Sequence, residues 1–430
     1  MKKKKASAKK KKKTVAKKQK KETIFVSIAS YRDRELIPTL DDMLKQAHNP
    51  DDLKICICWQ HDAEEDLSKY EDDSRFLIID VPHEEAKGVC WARNLIQKQF
   101  DNEDYILQLD SHHRFIKGWD TILKRKLETL KKKGVNKPII SAYLPGYDPS
   151  NDPKGRVKEN WRLCFDRFMP EGAVFLRPAH IPVGKKGMER GRFISGHMVF
   201  AEGHYYKTIM YDPKLYFHGE ETSLGVRAYT HGYDVYHLDR VIMWHFYERR
   251  GNIRHWDDNP KWGDMNLESF RRFKSLVGVD GTPLDSLDGY GLGKERTLQE
   301  FEHFAGINFK ERRVHVDTKN NEPPPVNGEN KDEYVNSFKY CIDLHERDVP
   351  EKDCDFFAIA FTNNQGQEIG RYDADEPEVV SLLNSASNED GWMRIWREFE
   401  TDEVPKSWVV WPRSKSKGFL NRLEHDLPKS

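Results

Sequence analysis

A chain of 430 residues with 37% apolar and 12% aromatic content can bury a sizeable core, which excludes a globally disordered protein. Its formal charge of zero averages two unlike parts: residues 1–21 hold 13 lysines and no acid, leaving 58 basic against 71 acidic side chains in the remainder. No stretch reaches the ~18 apolar residues of a bilayer span, no apolar segment of signal-peptide length follows the lysines, and six scattered cysteines form no C-x-x-C pair, which argues against a membrane protein, a disulfide framework and a zinc cage.

These bounds predict a cytoplasmic protein, with a nuclear or nucleic-acid-associated role left open by the basic tail. The chain divides into a disordered lysine-rich tail over 1–21, a large domain over 22–313, a linker over 314–335 and a small accessory α+β domain over 336–430. The tail repels itself, and the three prolines of Glu322-Pro-Pro-Pro-Val326 in polar surroundings suit an extended linker.

Along the large domain, Thr23–Ala29 reads as a buried strand, followed by a helix with Pro38 in its first turn and Leu40, Met43, Leu44 and Ala47 on one face. Leu53–Trp59 and Phe76–Val81 read as strands, and Lys87–Asn94 opens a helix that runs through Phe100. Tyr105–Leu109 is a fourth apolar strand that stops abruptly at Asp110-Ser-His112. Trp119–Lys131 reads as a helix and Pro138–Tyr143 as a strand, whereas residues 145–191, rich in glycine, proline and charge, read as a long irregular loop. Later elements are a helix reaching Thr230, strands over Tyr233–Leu238 and Val241–His245, and a helix over Leu267–Val277. Strands alternating with helices predict an α/β fold with a mostly parallel sheet flanked by helices. In the last hundred residues, Phe356–Thr362 and Gln367–Tyr372 flank a turn, and Trp392, Trp396, Trp408 and Trp411 are expected to fill an aromatic core.

Four patterns point to chemistry. Along an extended strand, Asp110 and His112 project to the same side, offering a carboxylate oxygen and an imidazole nitrogen to a divalent cation. Ser27–Arg34 and Gln60-His-Asp62 end the first two strands, where open α/β sheets bind ligands, with Arg32 and Arg93 as candidate phosphate partners. Gly219-Glu-Glu221 is a close carboxylate pair, a common source of shifted acidity in active sites. Val241-Ile-Met-Trp-His245 is an apolar strand ending in a third candidate metal ligand.

Residues 23–260, with Ser-Tyr-Arg-Asp, Asp-Ser-His, Ala-Arg-Asn, Ser-Gly-His and Gly-Glu-Glu in this order, resemble the GT-A nucleotide-sugar glycosyltransferases. The likeness is greatest to the cytoplasmic polypeptide α-N-acetylglucosaminyltransferases that modify hydroxyproline, and more distant to the polypeptide N-acetylgalactosaminyltransferases. The resemblance implies a UDP-sugar donor and Mn2+ (or Mg2+) held by Asp110, His112 and His245. It implies donor contacts from Ser27, Tyr31, Arg32, Asp62, Arg93, Ser111, Ser195 and Gly196, catalytic roles for Glu220 and Glu221, and retention at the anomeric carbon. The implied acceptor is a protein hydroxyl on hydroxyproline, serine or threonine. The lysine tail motivates a rival acceptor, a hydroxymethylated pyrimidine in DNA, and a catalytically silent GT-A binding protein is a third reading.

Overall fold

The computed structural model describes residues 22–169, 171–182, 187–248, 253–279, 286–326, 333–386 and 391–427. The lysine-rich tail therefore lies outside the described residues. Among the described residues, twelve strands lie between residues 22 and 248, in chain order. They are β1 (Ile24–Tyr31), β2 (Leu53–His61), β3 (Phe76–Pro82), β4 (Tyr105–Leu109), β5 (His113–Phe115), β6 (Pro138–Ser141), β7 (Trp161–Phe168), β8 (Val174–His180), β9 (Glu189–Arg190), β10 (Met198–Glu202), β11 (Asp234–His237) and β12 (Met243–His245).

Eight of these form one sheet in the order β3-β2-β1-β4-β10-β6-β11-β9. Neighbours β3, β2, β1 and β4 are parallel, as are β6 and β11, while β10 runs antiparallel to both strands beside it. The α/β expectation holds, and its cause is visible in β1. Ile24, Val26 and Ile28 face one cluster and Phe25 the other, so the strand is apolar on both sides. On the first face pack Leu36, Leu40 and Met43 of the helix Leu36–Gln46, with Leu123 and Leu127 of the helix Trp119–Lys132. The second face receives Cys90 and Ile96 of the helix Val89–Gln97, and Leu224 and Ala228 of the helix Glu220–Thr230. In both cases apolar residues spaced by three, four or six positions supply the buried stripe.

The 145–191 stretch differs from the expected loop. It contains an antiparallel hairpin, β7 against β8, turned at Gly172 with φ +91°. Leu163, Phe165, Val174 and Leu176 alternate inward and are buried beside Phe273 and Phe301. Arg162, Asp166, Arg167 and Arg177 among the apolar residues, and Pro178 within β8, masked this period-two pattern in the sequence. Of the stretch expected to be a linker, Arg313–His315 is a strand paired with Tyr334–Val335, Val316–Lys319 is a helical turn, and Val314, Thr318 and Val326 are buried.

The C-terminal strands Ser337–His345 and Trp392–Glu400 pair antiparallel, and Cys354–Thr362 pairs with Glu368–Arg371 and Ser407–Ser414, under the helix Glu376–Ala386. Its core is aromatic, but the tryptophans contribute less than expected. Trp408 is buried, whereas Trp392, Trp396 and Trp411 are exposed, and Phe357, Phe361 and Phe399 fill the interior. On the strand Trp392–Glu400 the inward positions are Met393, Ile395 and Phe399, so alternation turns both tryptophans outward. Among the described residues no helix is long and apolar enough to cross a membrane.

Candidate active site

Strand β4 delivers Asp110 at its carboxyl end, and the chain turns at once into β5. Strand β12 lies antiparallel on β5, with His245 opposite His113. This pairing sets the side chains of Asp110, His112 and His245 so that one ligand atom from each lies within 4.8 Å of the others. His245 Nε2 is 3.3 Å and His112 Nε2 is 4.0 Å from Asp110 Oδ2. These three candidate ligands are brought together.

What orients His112 is a carboxylate the sequence reading did not assign. His112 Nδ1 lies 2.6 Å from Asp33 Oδ2, which also accepts from Ser111 Oγ at 2.6 Å. Burial works against the Asp33 charge, yet the bonds from His112 and Ser111 hold its carboxyl down at about 2. An ionised Asp33 can only accept, so the His112 proton sits on Nδ1 and the Nε2 lone pair faces the cluster. That Nε2 is buried and has no hydrogen-bond partner, as befits a ligand position. His113 and His197 pack against the His245 ring with centroids 5.1 and 4.6 Å away, and burial pushes both well below the ordinary imidazole range. Burial likewise pushes His245 down to about 3, which keeps its imidazole neutral. One carboxylate and two imidazoles, one with a buried and unpartnered Nε2, could hold a divalent cation of the Mn2+ class.

The cluster borders a crevice lined by Asp110, Ser111, His112, Tyr31, Gln60, Tyr216 and residues 253–256. Gly88 and Val89, at the start of the helix Val89–Gln97, belong to the same lining. Gly88 has φ +100°, and a Cβ there would stand 2.7 Å from the Tyr216 ring, so both backbone and space require glycine. Tyr31 donates from its hydroxyl to Asp258 Oδ2 at 2.6 Å, and Arg32 bridges Asp62 (3.0 Å) and Asp258 (2.8 Å). Tyr31, Arg32 and Asp62 are thus tied together through Asp258, and the Arg32 guanidinium is engaged by two carboxylates.

Of the expected donor contacts, Tyr31 and Ser111 line the crevice, whereas Ser27, Arg32, Asp62, Arg93, Ser195 and Gly196 do not. Ser27 is fully buried in mid-strand, because β1 continues to Tyr31 rather than ending at Ala29. Arg93 is 3% exposed and lies beneath the cluster. There its Nη2 donates to Asp110 Oδ1 at 2.7 Å and its Nη1 to Glu220 and to the Tyr211 hydroxyl. Tyr211 donates to Glu220 Oε1 at 2.9 Å, and Gln108 ties Tyr211 to the Gly196 carbonyl, at 2.7 Å to each. Gly196 N in turn donates to Glu221 Oε1 at 2.7 Å. Ser195 is buried, its hydroxyl 2.9 Å from His197 Nδ1. Glu220, Glu221, Gly196, Arg93 and Asp110 therefore form one polar network through Tyr211 and Gln108, while Ser195 bonds to His197 beside it. Although burial raises the Asp110 carboxyl, the bond from His245 and the charge of Arg93 hold it well below the usual range.

The sequence matches the family Glycosyltransferase (GlcNAc) over residues 23–75 and 72–311, well over half of the chain. The chain belongs to this family. No curated protein matches it in sequence. Among solved structures, GalNAc-T7 with UDP, GalNAc and Mn2+ is similar at 15% identity and a TM-score of 0.45, over 59% of this chain and 48% of that one. S. aureus TarS 1–349 in complex with UDP-GlcNAc is similar at 12% identity and a TM-score of 0.36, over 59% of this chain and 66% of that one. The chain spans about half the length of the GalNAc-T7 chain it matches.

In this member of the family the expected mostly parallel sheet flanked by helices is present. Its Asp33→Asn variant is expected to keep the fold and to weaken Mn2+ binding by about 10- to 100-fold, because an amide no longer fixes the His112 tautomer. Titration of the metal by calorimetry reads this directly. Residues that sequence reasoning missed, Asp33, Tyr211, Gln108, His197 and Asp258, carry one common trait: each acts through a partner distant in the chain. Asp33 and His197 had a local signal, as the acid of Ser30-Tyr-Arg-Asp33 and the histidine of Ser195-Gly-His197.

Proposed function

We propose that this glycosyltransferase moves N-acetylglucosamine from UDP-N-acetylglucosamine to a protein hydroxyl (hydroxyproline, serine or threonine), with retention at the anomeric carbon. The observation that carries the reading is the buried His112 lone pair beside Asp110 and His245, on a crevice also lined by a helix N-terminus. In the proposal Asp110, His112 and His245 hold Mn2+ or Mg2+, which when bound neutralises charge on the departing diphosphate. Backbone N–H groups at Val89 favour the same anion. Tyr31 and Gln60, in the same lining, contact the nucleoside, and Ser111 acts through Asp33 rather than on the donor. We assign Glu221, the carboxylate of the pair held by a single backbone N–H, to contact with the sugar or acceptor, and Glu220 to holding Arg93. The division into catalytic and accessory domains is part of the same proposal, with residues 336–430 as a separate unit.

Label transfer from UDP-N-acetylglucosamine with Mn2+ into a lysate, followed by separate protease and nuclease digestion, tests the acceptor. Label released by protease and resistant to nuclease supports the protein acceptor; label released only by nuclease overturns it in favour of DNA. No transfer from any UDP-sugar returns the silent-protein reading.

Glu221 gives a pH prediction. Burial, reinforced by Glu220, raises its carboxyl from 4.5 to about 7. The folded protein thus binds this proton more tightly than the unfolded chain. The resulting stability is fully present below about pH 4.5 and is lost as pH rises through about 7. Glu221→Gln, neutral at every pH, is expected to match the wild type in Tm near pH 5 and to exceed it progressively toward pH 8. A constant Tm difference over that range would refute the assignment.

A further inference from the structure

Helix Trp119–Lys132 packs on β6, and beyond β6 the sheet continues through β11 and β9. On the same face, Tyr236 of β11 and Met188, just before β9, are only partly covered. They line a cleft of about 400 Å3 together with one side of the helix, and no other described helix contributes to it. Ile122 and Val135 add to its apolar lining and are likewise half-buried. A mostly parallel sheet is covered by helices on both faces, so the cleft stands where a further helix of this layer would lie.

The charged part of the lining is cationic. Arg125 and Lys126 belong to the helix, Lys133 follows its last residue, and Arg240 follows β11. Asp239, the carboxylate of the lining, is taken up by Lys126, whose Nζ lies 2.5 and 2.6 Å from its two oxygens. Arg125, Lys133 and Arg240 are exposed and make no ion pair among the described residues. They stand out on a chain that carries 58 basic against 71 acidic side chains after residue 21.

Water satisfies exposed cations, so they demand no ligand of their own. They set the charge of whatever covers the apolar residues beside them. A bare anion gains nothing from Ile122, Val135, Met188 and Tyr236, and an uncharged apolar ligand gains nothing from the cations. A segment with an aliphatic stripe flanked by carboxylates matches both. Arg125 and Lys133 are about 12 Å apart along the helix axis, close to the separation of two carboxylates two turns apart on a second helix. Single-stranded nucleic acid fits less well, because its bases stack on aromatic rings and the lining offers one ring, Tyr236, among aliphatic side chains.

We propose that this cleft docks an acidic amphipathic helix of a partner protein, with aliphatic side chains on Ile122, Val135, Met188 and Tyr236 and carboxylates toward Arg125, Lys133 and Arg240. The cleft shares no lining residue with the crevice beside the Asp110 cluster, and the proposal does not rest on the function proposed above.

The test titrates a fluorescein-labelled peptide of two Leu-Glu-Glu-Leu-Leu-Glu-Glu repeats with the full-length protein at physiological ionic strength. Anisotropy reads affinity, and amide hydrogen exchange reads location. Saturable binding is expected, with protection over residues 122–135, 187–188 and 236–240. Arg125→Glu combined with Arg240→Glu, both at exposed positions, should weaken binding about 10-fold or more. Serine in place of the peptide's leucines should weaken it by a similar factor of about 10. No saturable binding overturns the proposal. Equal affinity in the wild type and the double variant overturns it too, by placing the peptide elsewhere, such as on the lysine tail. Equal affinity of the serine peptide reduces the contact to bare charge and has the same consequence. An oligouridylate that binds more tightly than the peptide, and loses affinity equally in the double variant, would overturn the proposal in favour of nucleic acid.

Discussion

Replacing His112 with alanine is expected to lower turnover of a UDP-sugar by about 10^3-fold or more, equivalent to roughly 4 kcal/mol of transition-state stabilisation. The magnitude follows from what the side chain does. Its Nε2 is buried and unpartnered, and its other nitrogen is held by the Asp33 carboxylate. Removing it leaves Asp110 and His245, too few to hold a cation firmly, and takes from Asp33 the imidazole that bonds to it. Two measurements separate chemistry from damage: the Mn2+ concentration giving half-maximal activity, and the near-ultraviolet circular dichroism of the variant. Turnover within tenfold of the wild type at saturating Mn2+, with native dichroism, would refute the ligand assignment. Asp33→Asn provides the graded comparison, since it disturbs the same nitrogen indirectly.

The largest loss of stability is expected at Arg93. This guanidinium is almost wholly buried between two carboxylates, Asp110 and Glu220. Arg93→Met keeps the length and removes the charge, leaving Glu220 buried beside the Tyr211 hydroxyl and the Cys90 thiol without a cation. Breaking a buried pair by deleting one partner costs about 3–5 kcal/mol, mostly the penalty of the stranded charge. Urea denaturation should show that loss in the midpoint with little change in slope. The double variant Arg93→Met, Glu220→Gln should recover part of it, because the stranded charge has gone too. If the double variant is as unstable as the sum of the single ones, the two side chains do not act as a pair and the network described here is wrong.

The first half of the fold was legible because each of its strands is a short apolar run ended by polar residues, and each helix shows its stripe. The hairpin of β7 and β8 was not, because charged residues alternate with its apolar ones and a proline interrupts the second strand. The exposed tryptophans of the C-terminal unit were misjudged for a related reason: composition reports how much aromatic material is present, while alternation decides which way it faces. At the site, Asp110, His112 and His245 were legible from residue type at strand ends. Arg93 was misplaced because sequence gives its character and not its depth. Burial against Glu220, 127 positions away, turned a candidate phosphate contact into the tie between two carboxylates.

The pairing of β5 with β12 also bears on when the protein can first work. Two of the candidate ligands leave the ribosome together, but the third follows only after more than a hundred further residues, a delay of about ten seconds or more at cellular synthesis rates. A nascent chain therefore has no complete centre until β12 docks on β5. Metal capture by a half-made site would be disfavoured, and the centre is complete only once a contact spanning more than a hundred residues has closed.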